Sequence, residues 1–223
     1  MAQPLEQRQL EAAVAALQAQ RALLGDAVVE ATVAALRARL AAAAELPEPA
    51  QTLRQVSILF MDVVGSTTLA QQHDPETVSA VMDDALARGT ALVLAQGGKV
   101  LQYAGDNILA AFGAEGARED DAERAVHCGL ALLALGRDLG QEVQAAHGHA
   151  GFDVRVGIHT GGVLLGGGVD AEGSIRGSAV NIAARMEQTA PAGALRISHD
   201  TYSLVRGLFE IQTQPLLQVK GVE

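Results

Sequence analysis

The sequence is short of cysteine, of basic side chains and of long apolar runs. One cysteine, Cys128, stands among 223 residues. No internal disulfide can form, a reducing compartment fits, and the helical pattern around Cys128 marks it as a small core residue. Sixteen basic side chains face 26 acidic ones, a net charge of -10. That balance argues against a nucleic-acid or anionic-membrane surface. It does not exclude a nucleotide, which metal ions and backbone N–H groups can hold. No apolar run is long enough to span a bilayer and no signal peptide is apparent, so a cytoplasmic protein without a membrane span is expected. Proline is sparse, and Pro47 and Pro49 fall together in "ELPEPAQ", residues 45–51, which excludes helix there and marks a linker.

With 49% hydrophobic residues and 24 glycines the chain is globular. Before the linker, Leu10, Val14 and Leu17 recur at helical spacing, as do Val29, Val33, Leu36 and Leu40. Residues 1–48 are expected to form a helical arm or hairpin broken at Gly25-Asp26, and residues 52–223 the main domain. In the latter, Val56–Val64 reads as a strand and Pro75–Gln96 as a helix. A hairpin follows, turning at Gly105-Asp106, then a helix over Glu119–Glu142 and a strand in "FDVRVGIHTG". The helix in "SAVNIAARMEQTAPAG" stops before Pro191. "ALRIS" is a strand, and a further helix and strand lead to Lys220. The expected fold is α+β: a ferredoxin-like split βαβ core, an antiparallel sheet with helices on one face, carrying a C-terminal α/β extension and preceded by the arm.

"SILFMDVVGSTTLA", residues 57–70, places one acid inside an apolar strand. A lone carboxylate there is costly unless it is paired or holds a metal. Asp106 lies 44 residues on, at the hairpin tip, where a split βαβ sheet brings it beside Asp62. Two close carboxylates repel unless one is protonated or cations lie between them, and hard cations such as Mg²⁺ prefer carboxylate oxygens. Gly-Asp is also ordinary turn chemistry, so Asp106 alone says little. Gly65, Ser66, Thr67 and Thr68 leave the strand and open a helix, a common N-cap whose successive N–H groups can also cradle phosphate oxygens. Asn181 and Arg185, four residues apart, share one helix face. They suit a ribose and a phosphate, or simply an exposed polar face. Lys220 can contact a triphosphate or merely be solvated.

"FMDVVGST", "QYAGD", "VRVGIHTG" and "GSIRGSAVNIAARME", in this order and spacing, resemble the catalytic domain of the class III nucleotidyl cyclases over about residues 54–223. The resemblance implies an adenylyl cyclase that converts ATP to 3′,5′-cyclic AMP and pyrophosphate in a head-to-tail homodimer with sites shared between subunits. Asp62, Asp106 and the carbonyl of Val63 would bind two Mg²⁺ or Mn²⁺ ions per active site. The N–H groups of Val64, Gly65, Ser66 and Thr67, with Lys220, would hold the triphosphate. Asn181 would orient the ribose and Arg185 would stabilise the transition state. Gln102 and Ser174 stand where the family reads the base, in place of its usual Lys and its Asp or Thr; both can hydrogen-bond an adenine edge. Lys99 is displaced by three residues and takes no such role. The resemblance further implies a bacterial signalling protein with regulatory domains in a longer chain, and a final strand ahead of which this sequence stops. Two rivals remain: a guanylyl or other nucleotide cyclase, and a non-catalytic nucleotide-binding module that dimerises.

Overall fold

The computed structural model describes residues 15–16, 18–20, 25–26, 29–36, 51–166 and 175–215. Most of the expected arm, the linker, Ser174, Lys220 and the strand expected before Lys220 lie outside them. Of the arm, residues 29–36 are helical with Val29 and Val33 buried, in keeping with the spacing read from the sequence.

The main domain is built on two 13-residue strands, β1 (Thr52–Val64) and β4 (Asp153–Leu165), paired antiparallel along their whole length. β2 (Lys99–Ala104) and β3 (Asn107–Phe112) form the hairpin at Gly105-Asp106, and β3 pairs antiparallel with β1. The order is β2-β3-β1-β4-β5, with β5 (Ile175–Arg176) a two-residue edge and β6 (Leu195–Ile197) parallel to β4. The helices are α1 (Ser66–Gln72), α2 (Pro75–Ala95), α3 (Asp121–His147), α4 (Ser178–Gln188) and α5 (His199–Val205).

Local chemistry sets the ends. Asp74 accepts from the Thr77 N–H at 2.9 Å and Pro75 follows, a cap and first-turn proline that start α2. α3 runs to His147 rather than the expected Glu142, because Ala145 and Ala146 continue it and Gly148, at φ 68°, gives the left-handed stop. β1 starts at Thr52 rather than Val56 because residues 52–55 pair with β4 beyond Gly161.

β1 alternates strictly. Leu59, Met61 and Val63 join Ile108, Phe112, Val154, Val156 and Ile158 under α2 and α3 in the main core. Val56 and Ile58 point the other way, with Leu109 and Val163, and α4 seats Ala179 and Ala183 on them. The elements from β1 to β4 thus keep their helices on one face as expected, and the extension covers part of the other. The contacts are close. A Cβ on Gly157 of β4 would stand 2.0 Å from the Glu187 N, so α4 lies directly on the strand backbone. Cys128 is fully buried in the main core, and burial pushes its thiol up to about 12, consistent with a packing residue. No helix among the described residues is long and apolar enough to cross a membrane.

Candidate active site

On the α4 side of the sheet, where β1 ends, the apolar pattern gives way to charge. Asp62 lies between two cross-strand neighbours: Asn107 on β3 and Arg155 on β4. It is 8% exposed. Asn107 Nδ2 donates to its Oδ1 at 2.8 Å, and Arg155 Nε donates to its Oδ2 at 2.8 Å, with the Arg155 terminal nitrogen 2.6 Å from the same oxygen. Arg155 Nε also lies 2.7 Å from Glu187 Oε1 on α4. That contact is an ion pair without hydrogen-bond alignment, since the N–H is aimed at Asp62 and Oε1 has no aligned donor. One guanidinium therefore serves two buried carboxylates. Burial raises the Asp62 carboxyl above its ordinary value and the Asp106 charge adds to this, against the pull of Arg155. Burial also raises Glu187, and the Asp62 charge acts in the same direction.

Asp106, at the hairpin tip, is tied to the end of β1. Its carbonyl accepts from the Val63 N–H at 3.3 Å, and its Oδ2 accepts from Ser66 Oγ at 2.5 Å. Ser66 also reaches the Val63 carbonyl at 3.4 Å. The turn between depends on Gly65, at φ 88°, where a Cβ would meet the Gly151 carbonyl oxygen at 2.7 Å. α1 begins there with no side-chain cap on its first N–H groups. Asp62, Val63, Asp106 and Ser66 are thus gathered at one sheet edge, with Val64 and Gly65 half-buried beside them and Thr67 exposed.

The donor chemistry fits hard divalent cations. Carboxylates and a carbonyl converge there, and the buried Asn107 Oδ1 beside Asp62 has no hydrogen-bond partner. No cluster of three or more His, Cys, Asp or Glu is arranged around a common metal position among the described residues. The positive charge at Asp62 is instead supplied by Arg155.

The remaining expected residues stand apart. Gln102 is exposed on β2, opposite Leu109 next to a bulge. Asn181 is exposed on α4, and Arg185 donates to Gln188 Oε1 at 3.4 Å rather than to either acid. A cavity of about 470 Å³ lies elsewhere, lined by Gln55, His159, Thr160 and Asp200. Gln55 is seven residues down β1 from Asp62, roughly 23 Å along an extended strand. At the sheet edge that carries the acids, Asp62 is buried and Asp106 half-buried.

Arg155, Glu187 and Asn107 were not singled out in the sequence. Arg155 had a signal, since it is the one charged residue in the alternating strand "VRVGI", in phase with the chemical face. Finding Glu187 needed the seating of α4 on Gly157, which no spacing reveals.

The Adenylate and Guanylate cyclase catalytic domain family matches residues 48–223. Adenylate cyclase 1 of Rhizobium meliloti is 31% identical over 138 residues, 60% of this chain and 20% of that protein. The relatives matched are longer, and the aligned part spans 11% to 37% of their lengths. The solved adenylyl cyclase CyaB of P. aeruginosa superposes with a TM-score of 0.74 at 28% identity, covering 78% of this chain and 91% of that one. The solved guanylyl cyclase Cya2 superposes with a TM-score of 0.71 at 28% identity, covering 78% and 89%.

Proposed function

The chain belongs to the adenylate and guanylate cyclase catalytic-domain family, and we propose that it is an adenylyl cyclase converting ATP to 3′,5′-cyclic AMP and pyrophosphate. The observation that carries this reading is the meeting of Asp62 and Asp106, with the Val63 carbonyl, at one open sheet edge. Those three groups would hold two Mg²⁺ or Mn²⁺ ions. Bound there, the ions would lower the pKa of the ribose 3′-hydroxyl and offset negative charge on the α-phosphoryl group.

The residues of the chain divide the remaining work. The N–H groups of Val64, Gly65, Ser66 and Thr67, with Lys220, hold the triphosphate. Gln102 and Ser174 read the adenine edge. Asn181 and Arg185 act on the nucleotide held by a second copy of the chain in a head-to-tail homodimer. Asn181 fixes the ribose, and Arg185 donates to the α-phosphoryl oxygens as the 3′-oxygen attacks in line. The 3′-hydroxyl proton is lost to solvent, the 3′-oxygen bonds to the α-phosphorus, and the bond from that phosphorus to the pyrophosphate oxygen breaks. The exposure of Asn181, and the hydrogen bond of Arg185 to Gln188 rather than to either acid, support a site completed by a partner. Residues 52–223 are the catalytic unit, the arm at 1–48 sets the geometry of the pair, and a cytoplasmic setting with further regulatory domains completes the proposal.

A guanylyl cyclase is the second reading, favoured by the likeness to Cya2 and by Gln102 in place of the usual lysine. Turnover of the untagged chain with ATP, GTP, CTP and UTP in Mn²⁺ decides. The proposal expects ATP to give the highest kcat/KM. A higher value for GTP moves the assignment to the second reading, and no cyclic product from any nucleotide overturns both.

A further inference from the structure

The last turn of α4 is the part of that helix fixed most closely to the sheet. A Cβ on Gly157 of β4 would stand 2.5 Å from the Glu187 Cα and 2.6 Å from the Met186 carbonyl carbon. Thr189 Oγ1 donates to the Arg185 carbonyl at 2.7 Å and the Ala190 N–H to the Glu187 carbonyl at 2.9 Å, which closes the turn at its C-terminal end. The other end starts at Gly177 with no side-chain cap. α4 carries both residues proposed to act on the nucleotide of a second copy, Asn181 and Arg185.

Glu187 reaches the strand from this turn. It is 4% exposed, and its Oε1 lies 2.7 Å from Nε of Arg155, two residues before Gly157 on the same face of β4. Oε1 is buried without an aligned hydrogen-bond donor, so the contact is Coulombic. A buried ion pair adds little net stability, because desolvation offsets the attraction; what it supplies here is one defined arrangement of helix on strand. Residues two apart on a helix lie about 200° apart around its axis. With Glu187 turned to the sheet, Arg185 is turned away from it, half-buried and donating to Gln188. Arg155 also donates to Asp62 at 2.8 Å. One guanidinium therefore connects an acid of one site with the helix that serves the other.

We propose that Glu187 is a positioning residue for Arg185: through Arg155 it sets the last turn of α4 on β4 and so aims Arg185 at the nucleotide held by the second copy. The inference rests on the cyclase reaction proposed above. Glu187 works from the sheet side of the helix, through geometry. Without its charge the guanidinium of Arg155 is left to Asp62, and the last turn keeps its packing on Gly157 but loses the tie that sets its tilt. A displacement of about 1 Å at a group acting on the reaction can cost as much as ~10²-fold in rate. Because Arg185 acts in the transition state, the loss falls on kcat rather than on KM.

The test is a double-mutant cycle on the untagged full chain with ATP and Mn²⁺. Glu187→Gln keeps the shape and removes the charge. It should lower kcat by roughly tenfold or more with KM within about twofold. Its Tm should stay within roughly 4 °C of wild type, while amide hydrogen exchange at residues 184–188 becomes faster. In an Arg185→Ala background the same substitution should lower the residual kcat by less than about twofold, because no guanidinium is left to aim. Glu187→Asp, which keeps the charge and withdraws it by one methylene, should repeat the pattern with a smaller loss. An equal fold-loss in both backgrounds, or none in the wild-type background, overturns the positioning role and leaves the cyclase reading standing. Absence of cyclic product from the wild-type chain with any nucleotide overturns that reading, and this inference with it.

Discussion

The two faces of the sheet obey different rules. On the face under α2 and α3, β1 presents apolar Leu59, Met61 and Val63, and one polar residue, Ser57, which is fully buried and hydrogen-bonded to Thr160. Under α4 the same strand presents Val56, Ile58 and Phe60, and then Asp62, whose neighbours are Arg155, Asn107 and Glu187. One face is closed by two long helices; the other holds the short α4 and stays open at the end that carries charge. The lesson is one of parity. Because successive strand residues point to opposite faces, a buried strand can stabilise the domain with one set of side chains and hold chemistry with the alternate set.

The largest expected effect breaks the chemical face alone. Asp62→Asn and Asp106→Asn should each lower Mn²⁺-dependent turnover by more than ~10²-fold, while Asp106→Asn leaves the melting temperature nearly unchanged. Steady-state kinetics beside thermal unfolding reads both, and near-normal turnover in either variant contradicts the assignment of those acids. Next in size is a pair of substitutions on β4. Gly157→Ala drives a methyl into the α4 backbone and should cost about 3 kcal/mol or more by urea unfolding. Gly162→Ala, whose nearest neighbour is Leu53 at 3.9 Å, should be within about 0.5 kcal/mol of wild type. Equal losses would mean that α4 does not press on the strand at Gly157.

How much of this was legible in advance follows the same division. The apolar alternation, the Gly105-Asp106 turn and the Pro75 start are local signals, and they placed β1, the hairpin and α2 within a few residues. Asp62 stood out because an acid interrupts an apolar run, and Asp106 because the split βαβ topology carries the hairpin beside β1. Glu187 and Asn107 stayed hidden because their meaning depends on register and on helix seating. A one-residue change of pairing would remove Asn107 from Asp62. Likewise the seating of α4 over Gly157 is a long-range contact that no spacing encodes.

Smaller effects sharpen the chemical side. Gln102→Lys should raise the ATP/GTP ratio of kcat/KM by roughly tenfold without altering the Mn²⁺ dependence. A ratio that does not move removes Gln102 from base reading. The smallest is a pH effect on stability. Burial raises the folded-state pKa of Glu187 above its ordinary 4.5. Its proton is then held more tightly in the folded chain. The stability this contributes is full below the unfolded value and is lost as pH rises through the folded one. Glu187→Gln has no proton to lose. Relative to wild type it should therefore gain stability as pH rises from about 4 to 7, measured by denaturant unfolding at each pH. A difference that is flat or falls with pH would contradict a raised Glu187.

The central claim is that the open, charged end of the sheet is half of a site, completed by Asn181 and Arg185 of a second copy. Asp62→Ala and Arg185→Ala should each be nearly inactive, the latter reduced by ~10²–10³ in kcat. Co-expressed with different tags, they form heterodimers in which one site carries both defects and the other carries neither. With random pairing of equal amounts, half the dimers are mixed and activity should return to roughly a quarter of wild type. Heterodimers that form, by recovery of both tags, yet remain inactive would contradict the division of these residues between two chains.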